Sequence, residues 1–97
     1  MARQIIWSIR AQEDRKAIFS YWNKRNGTNF YSKKLNRLFN EACRLLSDHP
    51  NIGRNSVLEN VKVKVVRDYL MIYEVTDLAI IVHTIWDSRR NPADLGI

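Results

Sequence analysis

The sequence predicts an α+β domain: an antiparallel, partly mixed sheet of about four strands with an N-terminal α-hairpin on one face, in the order β-α-α-β-β-β. Three observations predict it. Residues 61–86 carry three β-prone runs in succession, VKVKVV, LMIYEV and LAIIVHTIW. Residues 9–49 carry two apolar patterns of helical period, separated by Asn26-Gly27. A further short β-prone run, Gln4 to Trp7, opens the chain.

Each element has a local reason. Ser8 stands where a helix N-cap belongs, and Glu13 and Asp14 lie near the first turns, where carboxylates suit the helix dipole. Ala11, Ile18, Tyr21 and Trp22 then recur at helical spacing. Asn26-Gly27 supplies the stop. A second helix is predicted from Thr28 or Asn29, with Tyr31, Leu35, Leu38, Ala42, Leu45 and Leu46 three or four apart and Phe39 beside them. It ends at His49-Pro50, because the residue before proline avoids the helical region. Residues 50–60 read as a loop containing Gly53 and Arg54.

The three runs that follow read as a meander. Val61 to Val66 alternates Val with Lys, as a half-buried strand does. Thr76-Asp77 is short enough for a two-residue hairpin loop. That loop sets Val75 opposite Leu78, Tyr73 opposite Ile80 and Met71 opposite Val82 on one face. On the other it sets Glu74 opposite Ala79, Ile72 opposite Ile81 and Leu70 opposite His83. Both faces are then largely apolar, and the helices cover one of them. The second face calls for a cover: a partner protein, a tail or another subunit. Asp87 to Pro92 ends the pairing.

Length and composition bound the function. Ninety-seven residues make one domain, 1–97, able to bury a core without metals or disulfides. The lone cysteine, Cys43, reads as a reduced core thiol, which fits a cytoplasmic setting. No apolar run reaches the length of a membrane span and no signal peptide opens the chain, so no membrane partner is expected. The net charge of +6 points to acidic partners such as nucleic acid or an acidic protein. Residues 1–49 hold ten Lys and Arg against four Asp and Glu, whereas residues 50–97 hold six of each. The excess therefore sits on the helical half, where a solvated face is the plainer explanation.

Few residues carry recognisable chemistry. His49, His83 and Cys43 do not fall at ligand spacing, and neither a phosphate-binding glycine loop nor a nucleophile–base motif is visible, so no cofactor or metal is expected. His83 reads either as a packed core residue or as a general acid or base on the open face near Lys62, Lys64 and Arg67. Arg89-Arg90 follows the last strand and reads as a surface pair or as a fork that stabilises charge on a phosphate. Arg67 lies at a hairpin end within reach of the same region. Arg54 sits in a loop, placed to contact a phosphate backbone with Lys62 and Lys64.

Together these features resemble the RelE/ParE family of toxins. The residues that carry the resemblance run in order along nearly the whole chain. They are Trp7-Ser8, then Ala11 and Asp14 leading to Ile18 and Tyr21; the helix ending before Pro50; Gly53-Arg54; Val66-Arg67 before Tyr69, Tyr73 and Val75; and Asp87, Arg89, Arg90, Asn91 and Pro92. The resemblance implies the toxin half of a type II toxin–antitoxin, or plasmid stabilisation, system. A cognate antitoxin would wrap the sheet and helices in a hetero-oligomer. Within the family, RelE-like members cut mRNA in the ribosome without metal, whereas ParE-like members poison DNA gyrase. The first activity would assign Arg67, Arg89 and Arg90 to phosphate charge, His83 to proton transfer, and Arg54, Lys62 and Lys64 to substrate binding. The sequence departs from the nuclease pattern at Leu70, where an arginine is usual, and in NPADLGI, which has no Tyr or His. The Gly53-Arg54 loop is more ParE-like. A non-catalytic protein- or nucleic-acid-binding module is the alternative.

Overall fold

A computed structural model of the chain describes residues 2–95, and for Pro92 the backbone alone. The elements run β1 (Gln4–Trp7), α1 (Ile9–Asn26), α2 (Phe30–Asp48), β2 (Arg54–Asn55), β3 (Val61–Val66), β4 (Tyr69–Val75) and β5 (Ala79–Asp87), closing on a 3-10 turn, Pro92–Leu95. The sheet order is β1-β5-β4-β3-β2. β1 lies parallel to β5, and the other neighbours are antiparallel. The α+β architecture is as expected, with one strand more: two residues of the 50–60 loop pair with Lys62 and Val63.

The helix ends follow their local chemistry. Ser8 Oγ accepts from the Ala11 amide at 3.0 Å and donates to the His83 carbonyl at 2.8 Å, so the cap also ties α1 to β5. Gly27 closes α1 in the left-handed region, at φ 68°. α2 turns Leu35, Phe39, Ala42, Cys43 and Leu46 inward. They meet Tyr69, Met71, Val82 and Ile85, with Tyr73 and Ile80 alongside Leu46. Burying each large apolar side chain contributes about 1.5–3 kcal/mol. Burial also pushes the Cys43 thiol up to about 11, consistent with an inert core group.

The β4–β5 register differs from the expected one. Val75 pairs with Ile80 and Tyr73 with Val82, two residues beyond the two-residue-loop alignment. The loop is longer because Thr76 closes it. Its Oγ1 accepts from the Ala79 amide at 3.0 Å, and its own amide donates to the Ala79 carbonyl at 2.9 Å. A two-residue turn would instead need positive φ at Thr76 or Asp77, which Gly or Asn tolerates better. Leu78 is therefore 82% exposed rather than packed on Val75. A shift of two preserves which face each side chain occupies. A bulge then inserts His83, so that Ile72 pairs with Thr84 and Leu70 with Trp86, not with His83.

The outer face is partly closed by the chain itself. Ile72 and Trp86 are only 3% and 2% exposed although they point away from the helices. Leu95 lines both outer-face clefts together with Ile72, which places the C-terminal turn over this side. Of the covers the sequence called for, the tail supplies a part.

Candidate functional site

Two strand ends and one helix frame a charged concavity. Beyond Val82, β5 has no β1 beside it, and α1 takes that place. Asp14 Oδ2 accepts from Thr84 Oγ1 at 2.5 Å and from the Ile85 amide at 3.1 Å, doing for the free edge what another strand would do. Past this contact, α1 and the end of β5 diverge around a cleft of about 350 Å³. Its walls include Asp14, Tyr21, Tyr69, Asp87, Arg89 and Arg90.

The charges in this cleft are largely paired. Arg89 grips Asp87 through Nε at 3.0 Å and Nη2 at 2.7 Å, and the Arg89 amide donates to the same carboxylate at 2.9 Å. The Arg89 hydrogen bond is the main reason the Asp87 carboxyl is held below its ordinary value. The Arg90 guanidinium lies 4.0 Å from the centre of the Trp86 ring. Tyr69 Oη accepts from Trp22 Nε1 at 2.8 Å, and burial raises its phenol above the usual range. A free phosphate would thus meet Arg90 and an Arg89 whose charge is already matched.

The other expected site residues lie elsewhere. His83 is on the outer face, its Nε2 2.7 Å from Glu74 Oε1, in a cleft shared with Arg10, Leu58, Val61 and Leu95. Lys62 and Lys64 pair with Tyr73 and Met71, so they point to the helix side of the sheet, away from His83. The expected grouping of His83 with these lysines is therefore not formed: the lysines alternate with Val61 and Val63, which take the outer face. Lys62 Nζ donates to Asn55 Oδ1, and Lys64 borders a groove between α2 and β3 with Glu41 and Arg67. Arg54 is exposed on β2, at the far edge of the sheet.

Arg67 occupies the tight β3–β4 turn at φ 56°, a conformation costly for a side chain with a Cβ. That turn abuts the segment after β5, since the Ser88 amide donates to the Asp68 carbonyl at 2.8 Å. Arg67 and Arg89 are at one end of the sheet but border different clefts. The sequence reading missed Asp14 and Glu74 as partners. Asp14 is visible as a helix-start acid and as part of the family pattern but not as a partner of β5, and Glu74 meets His83 through a register that no local signal announces. Among the described residues, no three His, Cys, Asp or Glu side chains are placed to share a metal ion.

The Gly53-Arg54 loop is anchored from below. Tyr73 Oη accepts from the Gly53 amide at 3.0 Å and donates to the Pro50 carbonyl at 2.9 Å. A Cβ on residue 53 would run into the Tyr73 ring and the Val63 carbonyl, each 2.9 Å away. Glycine is required here by close approach rather than by φ.

A helical pair on a five-stranded sheet, with this anchored glycine loop and an arginine-bearing end to the last strand, defines a small α+β domain of the architecture the resemblance implies. The model of the ParE toxin of type II toxin–antitoxin systems (parDE) matches residues 5–92, and the chain belongs to that family. It is similar in fold to a solved chain described as the chromosomal ParDE TA system from P. aeruginosa. The TM-score is 0.75 at 18% identity, covering 89% of this chain and 96% of that one. No curated protein sequence matches it.

Proposed function

We propose that this chain is a growth-arresting toxin that acts by poisoning DNA gyrase in the cytoplasm, held silent by a cognate antitoxin, and that it is not an mRNA-cleaving enzyme. The observation that carries this reading is the dispersal of the candidate catalytic groups. In-line attack by a ribose hydroxyl needs an acid–base group and cationic charge converging on one phosphate. Here His83 is paired with Glu74 on the outer face, Arg67 borders the α2–β3 groove, and Arg89 is clamped to Asp87 in a third cleft. Membership of the ParE toxin family supports the same choice. The described residues include no helix long and apolar enough to cross a membrane.

The test is induction of the chain in growing bacteria, with a DNA-damage reporter and amino-acid incorporation followed together. The expected result is early reporter induction while translation continues, with stabilised gyrase cleavage complexes when purified chain is added to gyrase and plasmid. Toxicity of His83→Ala should equal that of the parent. Prompt translation arrest with ribosome-dependent mRNA cuts, abolished by His83→Ala, would overturn the reading. Co-expression of the adjoining reading frame, expected to encode a small acidic protein, should restore growth.

A further inference from the structure

Between Asp14 and Glu41 the chain carries seven Lys and Arg and no acidic residue. The stretch folds back on itself as the second half of α1, the Gly27 turn and the first half of α2. Residues 23–30, the turn and its flanks, are exposed without exception. Lys24 and Arg25 end α1. On α2, Phe30, Lys33, Lys34 and Arg37 fall at i, i+3, i+4 and i+7, which makes them one stripe. That stripe is the solvent side, since Leu35, Phe39 and Ala42 point to the core. Phe30, at its head, is 77% exposed.

Stability explains part of this arrangement: Lys24 and Arg25 suit the C-terminal end of the α1 dipole, and the Arg25 guanidinium lies 6.0 Å from the centre of the Trp22 ring. It does not explain the α2 half. Lys33 and Lys34 lie in the first turns of α2, where positive charge opposes the helix dipole. α2 also starts with no acidic residue in its first turn and no side-chain cap. Like charges packed at the end of a hairpin repel one another. Among the described residues the stripe makes one ion pair, Arg37–Glu41, at 3.8 Å with both side chains more than half exposed, a contact of little energetic weight.

Shape selects the partner. A helical partner that docks through apolar side chains needs a groove, whereas this surface is a protruding basic tip with one exposed aromatic, Phe30. Duplex DNA offers two rows of phosphates flanking a major groove about 12 Å wide, so a basic two-helix tip can lie across the groove and face both rows. Its paired phosphate rows would meet cations on both sides of the tip. We propose that the end of the α-hairpin, through Lys24, Arg25, Lys33, Lys34 and Arg37, is a contact site for the phosphate backbone of duplex DNA. The site is separate from the candidate residues on the sheet and does not rest on the gyrase reading. DNA binding without effect on gyrase, or the reverse, would tell the two apart.

The experiment is fluorescence anisotropy of the full chain with a labelled mixed-sequence duplex of about 20 base pairs, titrated with salt. If four phosphates are contacted, log affinity falls with log salt at a slope of about −3.6, roughly a 100-fold loss between about 50 and 200 mM. Replacing Lys24, Arg25, Lys33 and Lys34 together by Gln should abolish most of the binding and flatten that slope. Glutamine keeps a helix propensity close to that of Lys and Arg, and Lys33→Gln alone should reduce the slope by about one. The comparison variant removes equal charge from the sheet: Arg54, Lys62, Lys64 and Arg67 to Gln. It should bind the duplex nearly as the parent does. Three results would overturn the proposal: no binding at about 50 mM salt, an equal loss in the sheet variant, or displacement of the duplex by polyglutamate at matched charge, which would mark the tip as a site for an acidic polypeptide.

Discussion

Asp14 shows how much one side chain can carry at a strand edge. The Ile85 amide and the Thr84 hydroxyl both end on its Oδ2, in a part-buried setting where β1 no longer reaches. Asp14→Ala leaves both donors without that acceptor, at a cost of about 1–3 kcal/mol. Thermal unfolding should fall by roughly 5–15 °C for a domain this size. Asp87 gives a contrasting case at the surface, because its partner Arg89 is open to solvent. The Asp87 carboxyl is more acidic in the folded chain than its ordinary value of 3.8. A depressed carboxyl stabilises the fold above the unfolded value, and that stabilisation is lost as pH falls through the folded one. Arg89→Ala should therefore unfold slightly earlier than the parent at neutral pH, with the gap closing below about pH 4. A pH series of melting curves for both chains measures this. A gap that persists undiminished into acid would mean that Arg89 acts through something other than Asp87.

At the scale of elements, the β3–β4 turn stores strain where a functional residue is expected. Arg67 is one of two non-glycine residues with positive φ among the described ones, the other being Asn60. Asparagine tolerates this region, whereas arginine does so at a cost of about 1 kcal/mol. Arg67→Gly should raise stability by about that amount, read as a higher denaturation midpoint. If Arg67 touches the cellular target, the same variant should lose toxicity while gaining stability, and a variant that gains stability with full toxicity would assign the residue no role. The elements themselves were legible in the sequence because their ends are local. Ser8, Asn26-Gly27 and His49-Pro50 each terminate a helix within a residue or two of their own position. What was not legible is pairing. The Thr76–Ala79 closure and the His83 bulge together shift β5 against β4, and the His83–Glu74 contact follows from that shift. The site was legible in part. Arg89-Arg90 does follow the last strand, but its clamp to Asp87 and the α1 wall of its cleft arise only from packing.

The molecule as a whole faces a topological demand: a sheet apolar on both sides, with helices on one. Its answer is a cover made from its own C-terminal turn. Leu95 reaches both outer-face clefts, and Arg90 stacks on Trp86 at the root of the turn. The cover is weakly held. Among the described residues, the hydrogen bonds of the turn, Ala93 amide to Asn91 Oδ1 and Asp94 amide to the Asn91 carbonyl, both 3.1 Å, are internal to it. On the same face, Trp86 Nε1 is buried and has no hydrogen-bond partner among the described residues, which is unfavourable by about 1–3 kcal/mol. Beside it, Val57, Leu58 and Val65 remain 85%, 48% and 40% exposed. Apolar packing by Leu95 is then the main force that keeps this face closed. Leu95→Asp places a charge against Ile72 and should loosen the turn without touching the helix-side core. Far-UV circular dichroism should stay unchanged, stability should fall by about 1–2 kcal/mol, half-burial giving less than a full leucine, and acrylamide should quench tryptophan emission more strongly as Trp86 opens. The exposed Val57, Leu58 and Val65 would then join Ile72 and Trp86 in one apolar surface, detectable as increased binding of a hydrophobic dye. Unaltered quenching with reduced stability would show instead that Trp86 is shielded by the sheet and Arg90 alone, and that the turn is an ornament on a face already closed.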